Sequence, residues 1–259
     1  MQCHGNRCGP LIHPTAIISP QAQLAPDCEI GPFCVLEGRV TVGARTRLKT
    51  GVVIGAEPMD RKYQGEPTAV NIGTDNIIFE YATVHRATGP DNATSIGDRN
   101  FIMSYVHIAH NCRIGSDCVL TSGVLLGGYV EIEDGANIGG RTGVHQFCRI
   151  GKLAMVGAHS YVNQDIPPFA LAAGNPCRIL DINRTGLERA GFSPEKITII
   201  RDAFRLIFRS GLLPDTALAR IEVELLSGPA EAEIRHLLEF CRNSKRGILL
   251  KSSPEQEGQ

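Results

Sequence analysis

Aliphatic residues recur in this chain at every sixth position over long stretches. The first run is Ile12, Ile18, Leu24, Ile30, Leu36, Val42, Leu48 and Ile54, and a short second run is Ile72, Ile78 and Val84. A third runs without a miss through Ile96, Ile102, Ile108, Ile114, Leu120, Leu126, Ile132, Ile138, Val144, Ile150, Val156 and Val162. A helix needs apolar residues three and four apart, and a half-buried strand alternates briefly and stops. A period of six fits neither. It fits a three-sided parallel β-helix with one short strand per side, so that 18 residues close a coil and each aliphatic side chain stacks on its counterpart one coil away. No single coil is stable alone; stacking builds the core. Burying each aliphatic side chain contributes roughly 1.5–3 kcal/mol before ordering entropy is subtracted.

Two polar segments interrupt the period, Ala56 to Thr68 and Arg86 to Ser95, and read as loops thrown out from the coil. Loops on a rigid scaffold commonly carry binding groups. The repeat fades after Val162, at Asp165-Ile166-Pro167-Pro168. A helix then starts at Ser193-Pro194-Glu195, with Ser as cap, Pro at the first position and Glu in the first turn, and runs to Gly211. Two further helices are expected at 216–226 and 230–241. The predicted organisation is therefore an irregular start over 1–11, a β-helix over 12–182 and a helical domain over 183–259.

Composition narrows the function. With 26 basic and 27 acidic residues among 259, the net charge of −1 offers no bulk attraction to nucleic acid or an anionic membrane. No apolar run approaches the roughly 20 residues of a membrane span, and Met1 to Pro10 lacks the apolar stretch of a secretory signal, so a cytoplasmic protein is expected. Five of the nine cysteines (Cys28, Cys34, Cys112, Cys118 and Cys148) fall four residues after an aliphatic position. That shared phase predicts small apolar residues lining the coil rather than disulfides, ligands or nucleophiles. Cys3, His4 and Cys8 lack the fourth partner and spacing of a zinc site.

Chemistry is expected at His107-Ile108-Ala109-His110-Asn111-Cys112. Ile108 is the inward residue, so His107 and His110 flank it and reach the outer surface. Gly128 follows His110 by one coil and Gln146 follows Gly128 by another, which stacks the three in one column. A histidine, with an ordinary pKa near 6.5, suits removal of a hydroxyl proton near neutral pH. A glycine lets a carbonyl oxygen approach a backbone N–H. A glycine at that place also suits a coil corner with no chemistry at all. A thiol nucleophile is the rival mechanism, but Cys112 is phased inward.

The chain resembles the acyl-(acyl carrier protein):UDP-N-acetylglucosamine O-acyltransferases of lipid A synthesis, hexapeptide-repeat proteins with a left-handed coil. The likeness rests on Met59-Asp60-Arg61-Lys62-Tyr63-Gln64-Gly65-Glu66-Pro67-Thr68, Thr83-Val84-His85-Arg86, His107 to Cys112, Val144-His145-Gln146-Phe147-Cys148, Gln164-Asp165-Ile166-Pro167-Pro168 and Gly186-Leu187 to Gly191-Phe192. The resemblance implies that His110 is the general base and that Gly128 N–H holds the oxyanion. It implies binding or site-shaping roles for Asp60, Lys62, His85, His107, His145 and Gln146, and nucleotide contacts for Asn183 and Arg189. Ala158 falls where the family sets acyl-chain length, and its small side chain implies a fairly long chain. The implied partners are a homotrimer, acyl carrier protein and UDP-N-acetylglucosamine. The implied cofactor is none beyond the carrier thioester.

The departures from the family are Met59, Asn111, Tyr129, Pro176, Thr185 and Ala190. Asn111 offers no carboxylate, so another group, such as a backbone carbonyl, is expected to orient His110. Arg201, Arg205, Arg209, Lys245 and Arg246 are candidates for meeting the acidic carrier. The competing functions are the related N-acyltransferase, which normally carries a further domain ahead of its coils, and a noncatalytic assembly platform.

Overall fold

The computed structural model describes residues 9–249. Its strands are mostly two residues long, and the second residue of each, the aliphatic one, points inward. Among the described residues they stack into three sheets of 10, 8 and 7 strands, parallel except for one terminal pair, which form the three sides of a prism. Leu11–Ile12 pairs with Glu29–Ile30 and that with Arg47–Leu48, a spacing of 18 residues. The spacing then becomes 30 from Arg47 to Ile77 and 24 from Ile77 to Phe101, and returns to 18. The two interruptions are thus insertions that leave the coil in phase. They are shorter than the sequence pattern suggests, because strands extend through Val53–Ala56, Ala69–Ile72 and Ala93–Ile96.

The stacked aliphatic residues from Ile30 to Val162 are almost wholly buried, whereas Ile12, in the first of the described strands, is 39% exposed. Cys28, Cys34, Cys112, Cys118 and Cys148 all line the interior, as their phase predicts. Burial drives the Cys112 and Cys118 thiols up to about 12, which leaves them inert. Cys3, His4 and Cys8 lie outside the described residues. Many corners hold a left-handed residue, and non-glycine residues fill most of these places, among them Tyr81, Tyr105, Asn111, Tyr129 and Phe147.

The coil does not stop at Val162. Ile166 pairs with Ile150, and Ala170–Ala173 adds a parallel strand beside Met155–Val156 before Arg178–Ile182 turns back antiparallel. The six-residue period misses this hairpin because its residues no longer repeat. Among the described residues four helices follow: α1 (Arg184–Arg189), α2 (Pro194–Arg209), α3 (Pro214–Leu225) and α4 (Glu231–Arg242). The sequence pattern gave no sign of α1, which is under two turns long. Ser193 caps α2 by accepting from Lys196 N–H at 3.3 Å, as Ser-Pro-Glu predicts.

The helices are tied to the coil. Arg149 lies over the Phe240 ring at 4.1 Å, and His236 Nε2 is 2.7 Å from Glu133. Buried Asp165 accepts from Arg149 N–H at 2.8 Å and from the Ser244 hydroxyl at 2.7 Å, and its backbone pairs with Gly247 and Leu249. Burial pushes its carboxyl up despite these donors.

Candidate active site

The register His107, Leu125, Gly143, Tyr161 runs up one sheet, one residue per coil. Three residues further along, at the corner, the same step stacks His110, Gly128 and Gln146. Backbone bonds lock the corner: Tyr129 N–H donates to His110 C=O and Phe147 N–H to Gly128 C=O, each at 3.0 Å. A Cβ added at Gly128 would stand 2.7 Å from both Nε2 and Cε1 of His110, so the ring edge lies over the bare glycine. Among the described residues the Gly128 N–H has no acceptor.

This corner opens into a cleft of about 470 Å³ lined by His110, Gly128, Gln146, His85, His107, His145, Met59, Leu125 and Tyr161, with neighbouring backbone. Among the described residues no lysine, arginine or carboxylate lines it. Six residues chosen from sequence therefore meet in one place. Leu125 and Tyr161 were missed, although the coil spacing from His107 leads to both.

His107 is half-buried, and burial, with His85 beside it, pushes its pKa down to about 4. It is neutral at physiological pH. Its Nδ1 is 2.9 Å from the Thr83 hydroxyl, and the His85 ring meets it edge-on at 5.1 Å. His85 Nδ1 lies 2.5 Å from the Glu57 carbonyl, which ties the sheet to the first loop. Arg246 reaches back from the tail to His145 Nδ1 and the Asn163 carbonyl, each at 3.1 Å. Both bonds engage its guanidinium beside His145, at the edge of the cleft. Lys245 lines a neighbouring recess of about 480 Å³ with Arg113 and Arg149.

Asn111 corrects the expectation about His110. The group against His110 Nδ1 is neither a carboxylate nor a backbone carbonyl but the Asn111 side-chain oxygen, at 2.9 Å. That oxygen also accepts from Thr88 N–H at 2.9 Å and the Thr88 hydroxyl at 3.0 Å, while Asn111 Nδ2 donates to Thr88 C=O at 3.0 Å. Tyr129 OH is 3.1 Å from the Thr88 hydroxyl, and its ring packs edge-on against His110. Thr88 sits in the second loop, outside the repeat, so no spacing rule pointed to it. The two loops brace each other: Glu66 accepts from Gly89 N–H at 2.8 Å and Arg86 pairs with Glu57 at 3.1 Å.

Cys112 is no rival nucleophile. It is fully buried, and its thiol donates to the Gly127 carbonyl at 3.2 Å.

The remaining sequence candidates lie apart. Asp60 and Lys62 are on the first loop, where Asp60 accepts from Lys62 N–H at 3.0 Å, and neither lines the cleft. Asn183 caps α1 through Gly186 N–H and donates to the Leu153 carbonyl at 2.8 Å, so its side chain already joins tail to coil. Arg189 is exposed at the end of α1. Ala158 is exposed at the corner between the 10-stranded and 8-stranded sheets, whereas His110 occupies the corner between the 8-stranded and 7-stranded sheets. Arg201, Arg205 and Arg209 edge a small groove floored by Phe204 and Phe208.

Known proteins match this arrangement. A family model described as Udp N-acetylglucosamine O-acyltransferase, domain 2, covers residues 165–249, and one described as bacterial transferase hexapeptide (six repeats) covers residues 93–128. The acyl-(acyl-carrier-protein)–UDP-N-acetylglucosamine O-acyltransferase of Synechocystis sp. is 44% identical over 210 residues, which is 81% of this chain and 75% of that protein. The chain belongs to this family. Among solved structures, the UDP-N-acetylglucosamine acyltransferase of Francisella novicida is 35% identical with a TM-score of 0.84 over 94% of this chain and 95% of that one. The UDP-N-acetylglucosamine O-acyltransferase of Moraxella catarrhalis is 39% identical with a TM-score of 0.81 over 92% and 99%. The fold is accordingly the left-handed parallel β-helix with a C-terminal helical part, and the protein is an acyltransferase.

Proposed function

We propose that this protein transfers an acyl chain from acyl carrier protein to the 3-hydroxyl of UDP-N-acetylglucosamine, the first step of lipid A synthesis. The observation that carries this reading is His110 over Gly128: an imidazole edge with Nδ1 already engaged, lying across a bare backbone in an uncharged cleft. His110 Nε2 takes the proton of the sugar hydroxyl as its oxygen attacks the thioester carbonyl. The carbonyl oxygen becomes an oxyanion against Gly128 N–H. Collapse breaks the C–S bond, and His110 returns its proton to the departing sulfur. A thiol ionises near pH 8.5, so the leaving group asks little of the acid. The thioester brings its own activation, so the reading needs neither metal nor cofactor, and chelator is expected to leave the rate unchanged.

One chain supplies the base, the oxyanion donor and the histidine wall. Asp60, Lys62, Asn183, Arg189 and Ala158 do not line that cleft. The reading therefore includes a homotrimer in which adjacent chains bring these residues together around UDP-N-acetylglucosamine and the acyl chain. The groove edged by Arg201, Arg205 and Arg209 has the charge to meet an acidic carrier. No helix among the described residues is long and apolar enough to cross a membrane. Both substrates are water-soluble, and the reading places the enzyme in the cytoplasm.

The test incubates purified protein with UDP-N-acetylglucosamine and carrier thioesters of graded chain length, with sedimentation to read the assembly. Acylated sugar nucleotide is expected, with the longer chains favoured by Ala158. Folded protein that acylates no sugar with any thioester would overturn the proposal.

A further inference from the structure

We propose that Asn111 is a positioning residue that fixes His110 as the Nδ1–H tautomer, holding the base through an amide dipole where no carboxylate is present. The inference rests on His110 being the base.

The orientation of an asparagine amide is usually a choice between two flips. Here the backbone of Thr88 removes that choice. Thr88 N–H can only donate and Thr88 C=O can only accept, so the Asn111 atom facing the first is oxygen and the atom facing the second is nitrogen. The atom 2.9 Å from His110 Nδ1 is that same oxygen. An acceptor there requires Nδ1 to carry the proton, and a neutral imidazole carries only one. Nε2 is left with its lone pair, and Nε2 is the atom lying over Gly128. The Thr88 hydroxyl lies 3.0 Å from Asn111 Oδ1 and 3.1 Å from the Tyr129 hydroxyl. The backbone of Thr88 thus assigns the Asn111 amide, and that amide assigns the proton on His110 Nδ1.

The holder is itself held. Asn111 N–H donates to Thr94 Oγ1 at 2.9 Å, and its φ of 61° lies in the left-handed region that asparagine tolerates. Gly89, next to Thr88, is anchored by Glu66. The titratable groups facing the ring are His107 on its own strand, Tyr129 one coil on, and His85, His145 and Tyr161 across the cleft. Behind Asn111 lie Arg113, Glu131, Arg149 and Lys245. Among the described residues no carboxylate is hydrogen-bonded to the ring. The imidazolium formed during transfer is steadied by a dipole alone.

Two measurements test this. The first reads nitrogen-15 shifts of the histidines in the intact, unliganded protein, with His110 assigned by the signal lost in His110→Gln. A protonated Nδ1 and a bare Nε2 are expected; a dominant Nε2–H form overturns the proposal whether or not the protein transfers acyl groups. The second reads pH profiles of kcat/KM. Asn111→Ala is expected to lower kcat about 100-fold while KM for the sugar nucleotide moves less than about threefold. Asn111→Asp places a negative charge beside Nδ1, so its acid limb is expected about one pH unit above the parent's, with most of kcat kept. If Asn111→Ala keeps kcat within about twofold and the Asp variant's limb coincides with the parent's, Asn111 does not position the base. Should either variant fold poorly, the spectrum of the parent protein decides alone.

Discussion

Two regions of this molecule that pin asparagine amides at both ends do so with different results. Inside the coil, Asn76 accepts from Asn100 N–H at 2.9 Å and donates to Gly97 C=O at 2.8 Å; Asn100 in turn accepts from Cys118 N–H and donates to Gly115 C=O. Thr46 begins this ladder by accepting from Asn76 N–H. Both asparagines are wholly enclosed, and all their bonds end on the chain itself. At the outer corner, Asn111 is fixed just as firmly by Thr88, yet its oxygen holds one further group, an imidazole whose other nitrogen faces a cleft. The inner ladder fixes register where the coil spacing changes from 30 to 24 to 18. The outer network fixes the oxygen that faces an imidazole nitrogen. Satisfied hydrogen bonds alone therefore do not mark a functional site; a titratable atom left free at the end of the network does.

The largest effect should separate the two regions completely. His110→Ala is expected to lower acyl transfer about 100-fold or more while thermal unfolding stays close to the parent's, read by initial rates and by melting. Gly128→Ala comes next. Its Cβ would meet the His110 ring at 2.7 Å, and the ring must swing off its position. A loss of about 10- to 100-fold in kcat is expected, and an unchanged kcat would remove Gly128 from the site. The reverse pattern is expected for Asn100→Ala. It leaves buried Cys118 N–H and Gly115 C=O unpaired, so chemical denaturation should show a loss of about 1–3 kcal/mol with kcat unaltered.

The smallest effect sharpens the boundary between the regions, because His107 belongs to both the sheet and the cleft. Its folded-state pKa of about 4 lies below the ordinary value of 6.5, so the unfolded chain binds the proton more readily. The stability this neutral histidine contributes is complete above pH 6.5 and is lost as pH falls toward 4. His107→Gln should flatten the stability profile over that interval and leave it unchanged above it. Equal slopes in parent and variant would show that burial of His107 does not govern the acid limb.

The amino-acid sequence by itself determined the scaffold. A strict period admits one kind of coil, and because the coil is locally repetitive, counting residues amounts to measuring distance. That is why five cysteines could be assigned to the interior and why His110, Gly128 and Gln146 could be stacked before any coordinates. The same count would have yielded Leu125 and Tyr161. Where the period breaks, the ruler breaks with it. The hairpin at 170–182, the short α1 and the contact of Arg246 with His145 all depend on how a non-repeating segment folds back on the coil. Thr88 is the sharpest case. Nothing in its loop sequence says that its backbone will grip both ends of Asn111, since that grip exists only once two insertions have packed against each other beside the corner. Sequence periodicity placed His110 at its corner. Tertiary packing decided which atom meets its Nδ1, because that contact joins segments whose meeting no local pattern encodes.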